Sequence, residues 1–420
     1  MRKMEKLLLL GKAQACVEII EYAKSQGVYT IITATEDVEH CVAKKYADEC
    51  WSYSTADLDT LEKKCKENNI TSIFCGISEF NIDRMIELGE RLNLPVYCTA
   101  EAWSYSRDKL KFRTLCESIG APMAKYYHVT KDFLPEDLKK VVYPVVVKPV
   151  DRNGNRGISF CYNEEELIEG YKAALSVSNS EKIVVERMLK GREYGAFYVM
   201  ADGEVHLLSF EAMCNQPGYP YNCYCFETTA TNQLDHFLQE LNPKLKEVMK
   251  AVGCKDGVAW VELILDEDGH FYILEMGHRM NGEMMFKAFP KTYNFNIIKW
   301  MTDIARGIKH TKEDLPKELC VRSPYSANVY AVWTKKEGTI KEIVGLDKVL
   351  EQKDTYCSFA SYVGDTVGQY RHIGTVIFNS ESTEKTKETI NRINELLSVI
   401  DEEGNNIMIQ FNDFSCLGSI

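Results

Sequence analysis

The stretch Val261–Glu283, VELILDEDGHFYILEMGHRMNGE, holds two short apolar runs around Asp268-Gly269, and each run carries one glutamate. Asp-Gly is the pair most favoured at the centre of a two-residue type I′ turn, so the spacing predicts a hairpin with Glu262 directly opposite Glu275. In that register Ile264 faces Ile273 on the same side, while Leu263 with Leu274 and Leu265 with Tyr272 fill the other. Both faces then look packed, which places the strands inside a sheet. Opposed residues bring their Cβ atoms to roughly 4.5–5.5 Å, a distance at which two carboxylates repel and need a positive partner. A divalent cation such as Mg2+ or Mn2+ prefers carboxylate oxygen and commonly binds one or two carboxylates together with substrate phosphates. Arg279, four residues past Glu275, adds a guanidinium fork suited to phosphate oxygens. The rival reading is another turn register, in which the acids diverge and each meets solvent or an arginine.

The chain has 420 residues, 45% apolar and 27% charged, with a net charge of -12. That length allows two or three domains with their own cores. The acidic balance argues against nucleic acid or an anionic membrane as the main partner, while leaving room for local basic pockets. The start MRKMEKLLLLGKAQ has only four consecutive leucines, too few for a secretion signal, and no later run is long enough to span a bilayer. A cytoplasmic address is the expectation. The 15 cysteines are odd in number and irregular in spacing, which fits reduced core thiols better than a disulfide framework. Cys223 and Cys225, with Cys214 and His206 nearby, contain no CxxC pair and read as structural rather than as a zinc site.

From Leu7 to about Cys98, strand-like runs (LLLL, VYTIIT, TSIFCG, PVYC) alternate with helical patterns such as AQACVEIIEYAKSQG and DLDTLEKKCKENN. This alternation predicts a parallel α/β domain over residues 1–105. Gly11 follows the first strand without a GxGxxG, so no dinucleotide site is inferred. Past residue 105 the order becomes α+β: the helix RDKLKFRTLCESIG, the strand YPVVVKP, the glycine loop DRNGNRG, another strand and helix, and a hairpin at Asp202-Gly203. From about 311 a charge-rich connector leads into a small C-terminal α+β unit, residues 311–420, with the helix STEKTKETINRINELLSVI.

Lys148 ends the apolar strand YPVVV, where a lysine either snorkels to water or waits for an anion. Gly154 and Gly157 in the following loop would let backbone N–H groups close over phosphate oxygens, although GK[ST] is absent and a plain connection explains the loop equally well. Lys109 opens a helix that Gly120-Ala121-Pro122 closes. Glu186 ends the strand KIVVE ahead of Met188 and Leu189, a setting in which a carboxylate and backbone groups can hold an adenine edge between apolar side chains; an edge glutamate is the plainer alternative.

In this order the elements resemble the ATP-grasp superfamily over residues 106–310. The likeness rests on Asp108-Lys109 with Gly120-Ala121-Pro122, PVVVKP, VVERMLKGREY, and VEL with ILEMGHR. The preceding 105 residues look like the superfamily's usual α/β domain. The tail is similar to the closing domain of the carbamoyl-phosphate synthase and biotin carboxylase branch. The resemblance implies a lid subdomain at about 123–188, with Lys109 and Lys148 on ATP phosphates. It implies Glu186 and the backbone near Leu189 at the adenine, and Glu193 near the ribose. Glu262 and Glu275 would hold Mg2+ or Mn2+, and Arg279 would steady the phosphoryl group. Where the family commonly has an asparagine as a further metal ligand this chain has Gly277, with Asn281 or water left to fill the shell. Glu283 and Asn281 are placed for a substrate role.

The activity so implied is an ADP-forming ligation of a small-molecule carboxylate to an amine, an amino acid being one candidate partner. Tyr219, Tyr221, Tyr224 and Phe226 line the acceptor pocket or simply pack their loop. Two alternatives are carboxyphosphate or carbamoyl-type chemistry and a non-catalytic ATP-binding regulatory protein. Homodimers are common among relatives, and no interface is legible in this chain.

Overall fold

The computed structural model describes residues 4–418 apart from residues 14, 152–156, 220–222, 283 and 318–319. Gly154, Tyr221 and Glu283 therefore lie outside the described residues. Near the N-terminus, β1 (Lys6–Leu10), β2 (Tyr29–Thr33), β3 (Glu49–Trp51) and β4 (Ser72–Phe74) form a parallel sheet in the order β3-β2-β1-β4. Leu7 to Leu10 are fully buried, as a parallel strand covered on both faces requires. One strand goes unread in the sequence and one expectation fails. The strand Glu49–Trp51 is too short to stand out as a run. PVYC is not a strand; Tyr97 and Cys98 are instead buried, with the Tyr97 ring edge-on to His278.

A second sheet, with its own core, sits over the central part of the chain. Here β5 (Tyr126–Tyr127), β6 (Val145–Pro149), β7 (Ser159–Cys161) and β8 (Ile183–Arg187) pair antiparallel in the order β5-β8-β6-β7. Helix Glu164–Val177 packs on it through Leu167, Tyr171 and Ala174, against Val145, Val147 and Val185.

The largest element is an eight-stranded sheet. It is built from β9 (Gly191–Ala201), β10 (Glu204–Asn215), β11 (Tyr224–Thr228), β12 (Gly257–Asp266) and β13 (Phe271–Gly277), and continues into the tail strands. The tail strands are β14 (Ser326–Trp333), β15 (Gly338–Val344), β16 (Thr355–Phe359), β17 (Thr366–Val367), β18 (His372–Ser380) and β19 (Ser398–Asp401), of which β14, β16 and β18 join it. The sheet order is β13-β12-β9-β10-β11-β14-β18-β16, while β17-β15-β19 make a small separate sheet. The β9–β10 hairpin turns on Asp202 and Gly203, both at positive φ (50° and 79°), as a type I′ turn demands.

The hairpin quoted at the outset is built differently from its prediction. Asp266 N–H donates to the His270 carbonyl (3.0 Å) and Gly269 N–H to the Asp266 carbonyl (2.9 Å), so the loop has three residues, with Gly269 left-handed at φ 84°. The Asp268 carboxylate favours this form by accepting from His270 N–H (3.1 Å) and the Tyr272 hydroxyl (2.8 Å). Leu265, Ile264 and Leu263 accordingly pair with Phe271, Tyr272 and Ile273. A bulge between Glu262 and Leu263 then restores Glu262 opposite Glu275. Nor does β13 lie inside the sheet: it is an edge strand, covered by Ile273 N–H donating to the Pro122 carbonyl at 2.9 Å.

The N-terminal core continues into the central chain through Met285, Phe289, Ile297, Trp300 and Met301. Polar ties reinforce the junction: the Tyr22 hydroxyl donates to Asp303 (2.9 Å) and Arg306 pairs with Glu5 (2.7 Å). A disulfide joins Cys214 on β10 to Cys416, a correction to the all-thiol expectation, while the other 13 cysteines are free. With the two cysteines 202 positions apart, spacing carries no sign of the bond; the chain end reaches β10 because it folds back, pairing Leu417 with Thr231. No helix among the described residues is long and apolar enough to cross a membrane.

Candidate functional site

Sheet register gathers the acids. Glu275 pairs with Glu262, Glu262 with Gly195, and Gly195 with Glu211, so one row runs across β13, β12, β9 and β10 on a single face. Glu193 is two residues before Gly195. Glu227 opposes Met213, two residues after Glu211, so both belong to the same face. Gly195 leaves the row open: a Cβ there would lie 3.4 Å from Glu211 Oε2 and 3.9 Å from Glu227 Oε1. Over this face lies a cavity of about 280 Å³, lined among others by Glu211, Glu227, Glu262, Glu275, Arg279 and Asn281, with Glu79 also in its wall.

Lys109 is the first residue of helix Lys109–Ser118, whose N-cap Asp108 accepts from Leu110 N–H (2.9 Å) and Lys111 N–H (3.0 Å). The cap aims Lys109 at the sheet edge, where its ammonium pairs with Glu275 Oε2. Burial on its own would raise the Glu275 pKa, but the charge and hydrogen bond of Lys109, helped by Lys148 and Arg279, hold it below the usual carboxylate range. Lys109 responds reciprocally: burial opposes its charge, and Glu275, Glu262 and Glu79 raise its pKa. Glu193 goes the other way, pushed up to about 7 by burial and by the Glu275 charge, against a smaller opposing pull from Lys148.

Arg279 lies over the Trp260 indole (4.9 Å to the ring centroid) and donates to Glu79 Oε1 (3.0 Å) and the Met280 carbonyl (2.9 Å). Trp260 in turn covers Gly277, its cross-strand partner: a Cβ at 277 would fall 2.4 Å from the indole.

A second group lies between β6 and β8. The Lys148 ammonium pairs with Glu186 Oε1 and the Arg113 guanidinium with Glu186 Oε2, both Arg113 and Glu186 being buried. Arg113 also donates to the Ala124 carbonyl at 2.6 Å. The Glu186 side chain is held by these two ion pairs, at the end of β8 just before Met188 and Leu189. Leu189, half-buried, follows Met188, whose N–H donates to the Pro144 carbonyl (3.0 Å). Gly157 is required by its φ of 76° and by packing, since a Cβ would lie 2.6 Å from Val177 Cγ2. The Lys148 charge reaches towards the acid row, helping to lower the Glu275 pKa and opposing the rise at Glu193.

Residues 108–312 match the family model described as carbamoyl-phosphate synthase L chain, ATP binding domain. The whole fold superposes on the L-amino acid ligase from Bacillus licheniformis with a TM-score of 0.80 at 20% identity, over 96% of this chain and 100% of that one. Residues 108–312 have the ATP-grasp fold. A biotin carboxylase from Campylobacter jejuni, solved as a β,γ-ATP complex, superposes on the same ATP-grasp architecture with a TM-score of 0.76 at 17% identity, over 95% of this chain and 93% of that one. In sequence the chain is 21% identical to the formate-dependent phosphoribosylglycinamide formyltransferase of Sulfurisphaera tokodaii, over 94% of this chain and 97% of the relative.

The ATP-grasp face contains residues that sequence reasoning missed. Glu211 and Glu227 sit near the two ends of the aromatic segment read as an acceptor pocket or a packed loop, and nothing short of register across β9, β10 and β11 brings them to the row. Arg113 was not singled out within its helix, since only the fold turns it inward to Glu186. Trp260, one residue before the quoted stretch, was passed over although its position two before Glu262 puts it on the acid face. Among the described residues no three His, Cys, Asp or Glu side chains converge to make a metal cage. The donor set in the row is hard oxygen from two opposed carboxylates, which fits Mg2+ or Mn2+ completed by phosphate and water, and does not fit zinc.

Proposed function

We propose that this chain is an ATP-dependent, ADP-forming ligase that activates a carboxylate as an acyl phosphate and joins it to an amine. The observation that supports this most directly is Glu262 opposed to Glu275 on the sheet face beneath the cavity, with Lys109, Lys148 and Arg279 around them. The relatives' names agree in chemistry, since formate and an amino acid are both carboxylates.

In this reading Glu262 and Glu275 hold a divalent cation, which neutralises the β- and γ-phosphates when bound. Lys109 gives up Glu275 and turns its ammonium to the phosphates, while Lys148, anchored by Glu186, meets them from the other sheet. Backbone groups of the segment through Leu189 hold the adenine, and Glu193 lies towards the ribose. Arg279 faces the carboxylate as its oxygen attacks the γ-phosphorus and the bond to the ADP oxygen breaks. The amine then attacks the acyl carbon, phosphate leaves, and the nitrogen loses a proton. The segment 123–188 acts as a lid, with Gly157 at the base of its loop, because water must be kept from the acyl phosphate. Asn281 and Glu283 are assigned to the substrate side.

The deciding experiment is an ADP-release screen over pooled carboxylic acids and amines, with mass spectrometry of the products. An amide product supports the ligase. ADP release with bicarbonate and no organic acid means carboxyphosphate chemistry, and tight ATP binding with no ADP means a non-catalytic binder.

A further inference from the structure

A tryptophan and a glycine flank the acid pair along its own strands. Two positions before Glu262 stands Trp260, and two positions after Glu275 stands Gly277; these two are cross-strand partners on the acid face. The indole occupies the space a side chain at 277 would take, with Cε2, Cζ2 and Nε1 at 2.4, 2.6 and 2.6 Å from a Cβ built there. Real Cβ atoms do not come so close to ring atoms, so the tryptophan and any side chain at 277 exclude each other. Phe197 pairs with Trp260 from the β9 side and limits its retreat. The exposed face of the indole carries the Arg279 guanidinium at 4.9 Å, and Glu79 fixes the far end of that arginine at 3.0 Å. Gly195, the next member of the row, also offers no side chain.

We propose that Trp260 is a positioning residue for phosphoryl transfer, which sets the Arg279 guanidinium over the site and, by closing the space above Gly277, leaves the acid pair to hold one tightly bound divalent cation per nucleotide. The proposal rests on the ligase reading given above. Neither Trp260 nor Gly277 offers a side-chain oxygen to a second cation on that side, while Arg279 supplies positive charge there in its place.

The test uses the full-length protein with Mn2+ and a β,γ-imido ATP analogue, read by electron paramagnetic resonance, and ADP release in the acid and amine pool. Wild type is expected to bind one Mn2+ per nucleotide, with any second at least tenfold weaker. The double variant Trp260→Ala/Gly277→Asn opens and fills the space, and is expected to bind a second Mn2+ at least tenfold more tightly than wild type. Trp260→Leu should lower kcat by at least tenfold with the analogue's Kd within threefold, and Trp260→Phe, which keeps a ring under Arg279, should recover most of the loss. Two equally tight Mn2+ ions in wild type, or a Trp260→Leu kcat within twofold of wild type, overturns the inference while leaving the ligase standing. No Mn2+-dependent nucleotide binding at all overturns the ligase reading and this inference together.

Discussion

Lys109 and Glu275, 166 residues apart in sequence, form an ion pair at the edge of the large sheet, one from the first turn of a capped helix and the other from β13. The pair offsets the repulsion that Glu262 imposes on Glu275. Replacing Glu275 by Gln keeps the shape and removes one of the two anionic donors. Turnover should fall by about 100- to 1,000-fold or more, the scale on which transition-state charge stabilisation acts, while the thermal midpoint stays within a few degrees of wild type. Steady-state ADP release and a melting curve on the same sample check it. Unchanged turnover would remove Glu275 from the metal-holding role.

Buried Glu186 answers to two cations, Arg113 and Lys148. Arg113→Met deletes one of them and leaves a buried carboxylate half compensated, which costs about 3 kcal/mol by the usual scale for breaking a buried pair. Denaturant unfolding measures it. In the double variant Arg113→Met/Glu186→Gln the carboxylate is gone as well, so part of the loss should return, and simple additivity of the two single variants would show that the residues are not coupled.

The legibility of this chain divides along a physical line. Features carried by short-range pattern were readable: the LLLL and VYTIIT strands, the Asp202-Gly203 turn, and the acids of the quoted hairpin. Glu262 and Glu275 were paired correctly through two compensating departures, a three-residue loop that shifts the register by one and a bulge at Leu263 that shifts it back. No local rule predicts that second shift. What the sequence hid depends on long-range geometry: the edge position of β13, the Cys214–Cys416 bond, Arg113 turned inward to Glu186, and the alignment of Glu211 with Glu262 through Gly195. The tail strand β14 likewise pairs with β11 across about a hundred residues, a join invisible to any window of sequence.

Gly191 opens β9 in the segment GREY, and here the need for glycine is a matter of space. A Cβ at this position would lie 1.8 Å from the Leu265 carbonyl oxygen and 3.3 Å from the Asp266 Cα, both backbone atoms of the paired strand. Neither can swing aside, so Gly191→Ala must push β9 away from β12. The expected cost is at least about 2 kcal/mol, in the range of overpacking. Since Glu193 and Gly195 follow on the same strand, nucleotide affinity should drop along with stability. Calorimetric unfolding with and without the ATP analogue separates the two effects, and a variant as stable as wild type would contradict the close approach.

His278 supplies the pH dependence. It is fully buried at the junction with the N-terminal domain, its ring edge-on to Tyr97 and its Nε2 donating to the Asp256 carbonyl at 3.1 Å. That carbonyl fixes the proton on Nε2, and Nδ1 is buried without a hydrogen-bond partner. Protonation would put a second N–H where no acceptor waits, and burial holds the pKa down to about 4, with the Asp256 carbonyl and charge opposing only weakly. For a depressed histidine the unfolded chain takes up a proton first as the pH falls through about 6.5, while the folded chain resists until about 4. Stability from this group is therefore present at neutral pH, declines across that window, and is lost by on the order of 3 kcal/mol at its acid end. His278→Asn cannot titrate there, so its unfolding free energy should fall less steeply than that of wild type between pH 6.5 and 4, whatever its absolute stability. Urea unfolding at half-unit steps of pH gives both slopes, and parallel lines would mean that the His278 ring is charged in the folded protein.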